Sequence, residues 1–303
     1  MKQKHAGYTL VELMIALALG LIVVLVAVQM LLSGQKTYTF QNAMLNVQDN
    51  ANIGLSYIVA DLKHTNLNII NRDIQNHKIA GLIVANANYP TAVTTNRRIS
   101  SSGTGKSFTE NKSDVLVIQY RPNAAKKYDC EGNQITNTTE IVVQRYFLRV
   151  DENGAKDASG KPYELALACD AGRYGSTSTA ITGFNTVAAE GGQIIMPRVD
   201  QFKVLVGVED IDTKQLSYMS LSDFAEIEPP TDTTKKGKRA VSLQIGILSR
   251  SLDSAGSNTE EKLSYQLLNT KEIVEKPPAM KAKFIRVPVE QTIALRNGLG
   301  DGI

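Results

Sequence analysis

Tryptophan is absent, histidine occurs three times and cysteine twice in 303 residues, and no proline precedes Pro90. Each scarcity removes a class of function. With only His5, His64 and His77, and with no HExxH or GxSxG pattern, there is no support for a histidine-based zinc centre or a nucleophile elbow. Cys130 and Cys169 are too few and too far apart for a zinc ribbon or a CxxC redox site. Lys plus Arg number 33 against 30 Asp plus Glu, which gives no electrostatic basis for a dedicated nucleic-acid binder. No cofactor is expected. The missing prolines leave everything before Pro90 free to run as unbroken helix.

What is present begins with a long apolar run. Between Tyr8 and Gln35 the one charged residue is Glu12, and Leu13 to Leu32 is apolar apart from Gln29. About 20 such residues span a hydrocarbon core of ~30 Å as a helix. Lys2 and Lys4 precede the run and the next cation is Lys36, so the positive-inside bias leaves the amino terminus cytoplasmic and exports the remainder. The small residues of "HAG" come before the apolar run and no A-x-A site follows it in "QMLLSGQKTYTFQN"; cleavage at Gly7 would keep the helix in the mature chain. In an exported chain a lone cysteine pair most often forms one bridge. A Cys130–Cys169 bridge would close a loop of about 40 residues and stabilise by roughly 4 kcal/mol; two buried thiols are the alternative.

Past the membrane run, Phe40, Met44, Val47, Ala51, Leu55, Ile58 and Leu62 recur at steps of three and four, the period of an amphipathic helix. One helix from Tyr8 to Lys63 would be roughly 80–85 Å long. Gly20, Gly34 and Gly54 are its candidate flexible points, each costing about 1 kcal/mol relative to Ala, and Gly34 marks the membrane exit. Then the pattern changes to short β-type runs, "AGLIVA", "DVLVIQYR", "EIVVQRYFLRV", "YELALAC", "DQFKVLVGVED", "AVSLQIGILSRS" and "KFIRVPVEQTIALRN", separated by turn chemistry. Residues 90–113 and 229–239 read as loops. The expected fold class is α+β, a long amino-terminal helix packed on a mainly antiparallel β head. The expected division is a leader at 1–7, a transmembrane half-helix at 8–34, an amphipathic half-helix at 35–66 and a head at 67–303.

The stretch "GYTLVELMIALALG" resembles the class III leader of type IV pilins and type II secretion pseudopilins, a short basic leader ending in Gly before an apolar helix with Glu at the fifth mature position. Gly7, Tyr8 and Glu12 occupy those places, with Tyr8 where Phe is commonest. The resemblance implies that a prepilin peptidase cuts after Gly7 and methylates the Tyr8 amine, and that Glu12 meets the amino terminus of a neighbouring subunit. The physics agrees, since an unpaired acid in lipid costs several kcal/mol and a nearby ammonium offsets much of it. The alternative is an acid solvated at the interface. "VDQFKVLVGVED", "AVSLQIGILSRS" and "VEQTIALRN" resemble strands of the PilW family of minor pilins. Where many major pilins carry a helix proline this chain has Gln29, so no proline kink is expected.

Other segments have plain readings. "SSGTGKSF" matches the end of a phosphate loop through Gly105, Lys106 and Ser107, but Ser100 stands where the first Gly belongs, and a Ser/Gly loop is preferred. Asp151, Asn153 and Asp157 lack the rest of a calcium loop, and Asn153-Gly154 signals a hairpin turn; "EDID" at 209–212 reads as a strand end. Lys235, Lys236, Lys238 and Arg239 form the densest basic cluster, a candidate weak contact to DNA or a surface. The PilW resemblance implies a minor pilin of an inner-membrane assembly platform, with other minor pilins, major pilin and prepilin peptidase as partners. It would then be carried in a fibre on the surface of a Gram-negative bacterium and support twitching motility, adhesion and natural competence with DNA uptake. The alternatives are a type II secretion pseudopilin and a DNA-binding pilus receptor, and no enzyme is expected.

Overall fold

A computed structural model of the protein describes residues 7–69, 81–123, 126–185, 191–227, 237–256 and 260–299. Helix α1 (Leu10–Leu62) is unbroken for 53 residues, roughly 80 Å at 1.5 Å per residue. Its lipid-type half stands free of the head, and the first buried side chain is Ala43. From there Val47, Ala51, Gly54, Ile58 and Leu62 form the buried stripe that the helical period predicts.

The head contains two antiparallel sheets. The first runs β1 (Ser101–Gly105), β2 (Ser113–Tyr120), β3 (Ile141–Val150), β4 (Leu165–Tyr174) and β5 (Gln193–Pro197), paired in chain order. The second is built from β6 (Val199–Asp210), β7 (Leu216–Ser220), β8 (Lys238–Arg250) and β11 (Arg286–Ala294), in the order β11-β8-β6-β7. A short helix α2 (Leu221–Ala225) follows β7, and β9 (Ser264–Leu267) pairs with β10 (Thr270–Ile273) as a separate hairpin. One residue, Arg198, carries the chain from the first sheet to the second, with φ at 57°. That left-handed conformation makes a one-residue corner between β5 and β6.

The sheets share one core. Leu116, Ile118, Tyr146, Leu148 and Leu167 from the first meet Phe202, Val204, Val206, Leu243, Ile245 and Ile247 from the second, with Ile58 and Leu62 of α1 in the same cluster. Phe202, Val204, Val206 and Val208 occupy alternate positions of β6, as a strand with one face on a core requires. The opposite face of the first sheet is also covered: Val117, Val143 and Tyr174 pack against Ile83, Tyr89, Val93, Ile181 and Phe184. Burial on both faces explains the nearly continuous apolar runs of β2 and β3.

Several expectations change. "AGLIVA" is not a sheet strand; Leu82 makes a single bridge to Ile118, while Leu82, Ile83 and Val84 are buried. The expected loop at 90–113 carries β1, and Lys238 and Arg239 begin β8 instead of closing a loop. Gly54 is a packing residue: a Cβ there would lie 2.4 Å from Met196 Cε and 2.8 Å from its Cβ. Gly20 and Gly34 have nothing within 4 Å of such a Cβ.

Candidate assembly site

The exposed end of α1 is the first part of the site. Thr9 is the N-cap, with extended backbone, and its Oγ1 accepts the Glu12 N–H at 3.3 Å. Glu12 is the third residue inside the helix, so Thr9 and Glu12 occupy the Thr-x-x-Glu positions of a capping box. A carboxylate in the first turn also suits the positive end of the helix dipole. Among the described residues no group donates a hydrogen bond to the Glu12 carboxylate, and Tyr8 is 86% exposed. Gly7 precedes it outside any helix or strand. From Leu10 to Leu32 the large apolar side chains face outward, and this helix is long and apolar enough to cross a membrane.

The second part is the seat of α1 on the head. Gly54 lets the helix approach Met196, and Asn50 donates its side-chain amide to Pro197 O at 2.7 Å beside the Arg198 corner. At the far end Asp61 is 4% exposed. An acid in the last turn opposes the helix dipole, and that turn holds no basic residue. The compensation comes from the head: Lys126 forms an ion pair with Asp61, and the Tyr146 hydroxyl donates to it at 3.0 Å. Burial first, then the Asp61 charge, hold the Tyr146 phenol well above its ordinary pKa, so it remains a donor. The carbonyls that follow are capped by Asn297, whose amide donates to Lys63 O at 3.0 Å and Thr65 O at 3.3 Å. His64 Nδ1 sits 2.9 Å from Ala60 O.

The two cysteines are bridged, with Cα atoms 6.1 Å apart. Cys169 lies mid-strand in β4 facing the core, opposite Tyr146 on β3. Asp129, beside Cys130, accepts Arg173 NH2 at 2.7 Å.

The remaining candidates are engaged locally. Asp151 accepts the Asn153 N–H at 3.0 Å, and Asp157 accepts the Ser159 and Lys161 N–H groups at 2.9 Å each. Asp210 accepts the N–H groups of Asp212 and Thr213. Gly105 ends β1, and Ser107 turns back on Thr109 O and Asn111 O. Arg239 places Nε and NH2 on Glu209 Oε2 at 2.9 and 2.8 Å, while Lys238 is exposed. Lys235 and Lys236 lie outside the described residues, as do residues 1–6 of the expected leader.

The sequence reading missed Thr9, Asp61, Lys126 and Asn297. Thr9 had a local signal, a hydroxyl three residues before an acid at the head of an apolar run. The other three are joined across 65 to 234 residues, and no local pattern marks them.

Comparison with known proteins adds two family matches. Residues 2–28 match the prokaryotic N-terminal methylation motif, and residues 145–297 match PilW, described as type IV pilus-assembly protein W. A type IV-like pilin from Thermus thermophilus, 13% identical, aligns over 82% of this chain and 97% of its own with a TM-score of 0.38. No curated protein matches the chain. The PilW match takes in 153 of 303 residues (145 to 297), from the buried Arg145 of β3 to the Asn297 that caps α1, and the protein therefore belongs to the PilW family.

Proposed function

We propose that this chain is a minor pilin that helps to initiate type IV pilus assembly and enters the fibre near its tip. The observation that carries the proposal is an exposed apolar stem with one acid in its first turn, seated firmly on a β head. Prepilin peptidase cuts after Gly7 and methylates the Tyr8 amine. Thr9 already caps the Glu12 N–H, which leaves the Glu12 carboxylate for the charged terminus of a neighbouring stem. In lipid that pairing offsets several kcal/mol of desolvation, so stems in register are favoured over stems that slip. The chain begins in the inner membrane, with other minor pilins, major pilin and the assembly platform as its partners, and ends in the surface fibre. Twitching motility, adhesion and DNA uptake follow from the fibre, and no catalytic step is assigned.

Replacing Glu12 with Ala should leave membrane insertion intact and reduce incorporation into sheared fibres at least tenfold. Normal incorporation would overturn the pairing. Deletion of the whole gene separates the two secretion-related readings: loss of twitching supports a pilus component, and loss of exoprotein release with normal twitching points to a type II pseudopilin. The Arg239–Glu209 ion pair, with two guanidinium N–H groups on one carboxylate oxygen, lowers the positive charge open to phosphate, which weighs against a dedicated DNA receptor.

A further inference from the structure

The connection from β2 to β3 leaves the first sheet at Tyr120 and returns at Ile141, and of its described residues, 121–123 and 126–140, Lys126 lies against the end of α1. Its outgoing arm is tied to the chain just past the helix, with Arg121 N donating to Leu67 O at 2.9 Å. Its middle is a small hairpin: Ile135 N donates to Lys127 O at 2.8 Å, Asp129 N donates to Asn133 O at 3.0 Å, and Tyr128 bridges Gln134. Lys126 stands at the entrance to this hairpin and Cys130 at its tip. The tip reaches β4 through the Cys130–Cys169 bridge and the Asp129–Arg173 ion pair. Lys126 is thus held against Asp61 by a connection that the disulfide cross-links to β4 midway between its two backbone ends.

We propose that the Cys130–Cys169 bridge is the setting element of a latch between stem and head: oxidation of the two thiols fixes Lys126 on Asp61, and in the reduced chain the last turn of α1 is released. The latch has a physical need. Asp61 is buried, opposes the helix dipole and has no cation on its own turn, so removal of Lys126 leaves a carboxylate that, among the described residues, only the Tyr146 hydroxyl stabilises from outside the helix. A buried acid with its cation removed recovers solvation by opening its surroundings to water. Without the bridge, the hairpin keeps the bonds of Arg173 to Asp129 and Gln134 O, the Ala171 N–H on Glu131, and the contact of Ile135 with Tyr120 and Val142. Those must hold the hairpin against its conformational entropy, whereas the bridge removes much of that freedom beforehand.

The redox step is balanced. Two thiols lose two electrons and two protons as the S–S bond forms, and an oxidised dithiol carrier gains them. A dithiol such as dithiothreitol reverses the step and is itself closed to a disulfide. The head meets such an oxidant only after export, so a newly inserted chain has a hinge at residues 59–65 and becomes a rigid stem-and-head unit on oxidation. The latch rests on the proposed role of the stem as the assembly element, but it is read on isolated protein, where loss of fibre assembly has no influence.

Amide hydrogen exchange on the full-length protein in detergent micelles tests it, with and without dithiothreitol. The amides of Lys63, His64 and Thr65, which bond to Val59, Asp61 and Leu62 carbonyls, should lose protection at least tenfold on reduction, while those of β6 and β8 keep theirs. Lys126→Ala should reproduce the loss in the oxidised protein and add less than twofold in the reduced protein. Unchanged protection on reduction, or independent multiplication of the two effects, overturns the latch. Should reduction unfold the whole head, Lys126→Ala with the bridge intact decides: a tenfold loss confined to 63–65 supports the latch, and unchanged protection there overturns it.

Discussion

Glu131, next to the bridged Cys130, is a half-buried acid whose pKa is pushed up to about 7. Burial is the main cause; the Ala171 N–H works against it, the neighbouring Asp170 and Asp129 charges add to it, and Arg145 lowers it. A carboxyl raised from its ordinary 4.5 binds its proton more tightly in the folded chain. Its contribution to stability is therefore complete below pH 4.5 and is lost as the pH rises through about 7. Because the group is half in water, screening reduces the effect to on the order of 1 kcal/mol. Glu131→Gln should flatten that part of the pH dependence, raising the melting temperature relative to wild type at pH 8 and not at pH 4. Parallel melting curves for the two proteins across this range would show that the site does not titrate as its surroundings dictate. No sequence pattern signals this acid, because its neighbours are assembled by a turn and a strand some 40 residues apart, the separation of the bridge itself.

At the scale of elements, α1 was legible for a simple reason: its period persists over 53 residues, and no turn or proline interrupts it. β2, β3, β6 and β8 were legible from dense β-branched runs with partial alternation. β1 was not, because "SSGTG" has no apolar residue and gains its place by pairing with β2. β5 was missed because its five residues end in Pro197 at the Arg198 corner, and β9 and β10 because four residues carry little periodicity. The glycines of α1 show the limit most clearly, since composition treats Gly34 and Gly54 alike and packing does not. At Gly34, open on all sides, an alanine should strengthen the helix by about 1 kcal/mol. At Gly54 the same propensity gain meets overpacking against Met196, which costs about 1–3 kcal/mol, and the collision with the Met196 Cβ cannot be relieved by rotating the thioether alone. Gly54→Ala should thus lower stability by about 1 kcal/mol in urea unfolding, and Gly34→Ala should not. Equal shifts of either sign at both positions would mean that α1 is not seated through Gly54.

For the whole molecule, the question is whether two sheets joined by a one-residue corner behave as one body. Beyond the shared core, a buried ionic network answers for their union. Asp200 of β6 accepts Arg250 Nε of β8 at 2.9 Å and Arg286 Nε of β11 at 2.6 Å, all three side chains being fully enclosed. Arg250 also pairs with Glu164, just before β4 in the first sheet, and Arg286 pairs with Glu261 at 2.5 Å, which in turn holds Lys276 at 2.6 Å. The network thus ties the first sheet, three segments of the second and the chain between β8 and β11. Such a network adds little over an apolar core when complete, but removing one member leaves the others charged and buried, at a cost of about 3–5 kcal/mol. Against a total stability of about 5–15 kcal/mol, Asp200→Asn should bring the head close to unfolding. If the sheets are one cooperative unit, the loss appears as a single urea transition at a lower midpoint, with tyrosine fluorescence and exchange at β3 and β8 moving together. A first sheet that stays protected after β6 and β8 have opened would instead make the Arg198 corner a boundary between two independently folding halves.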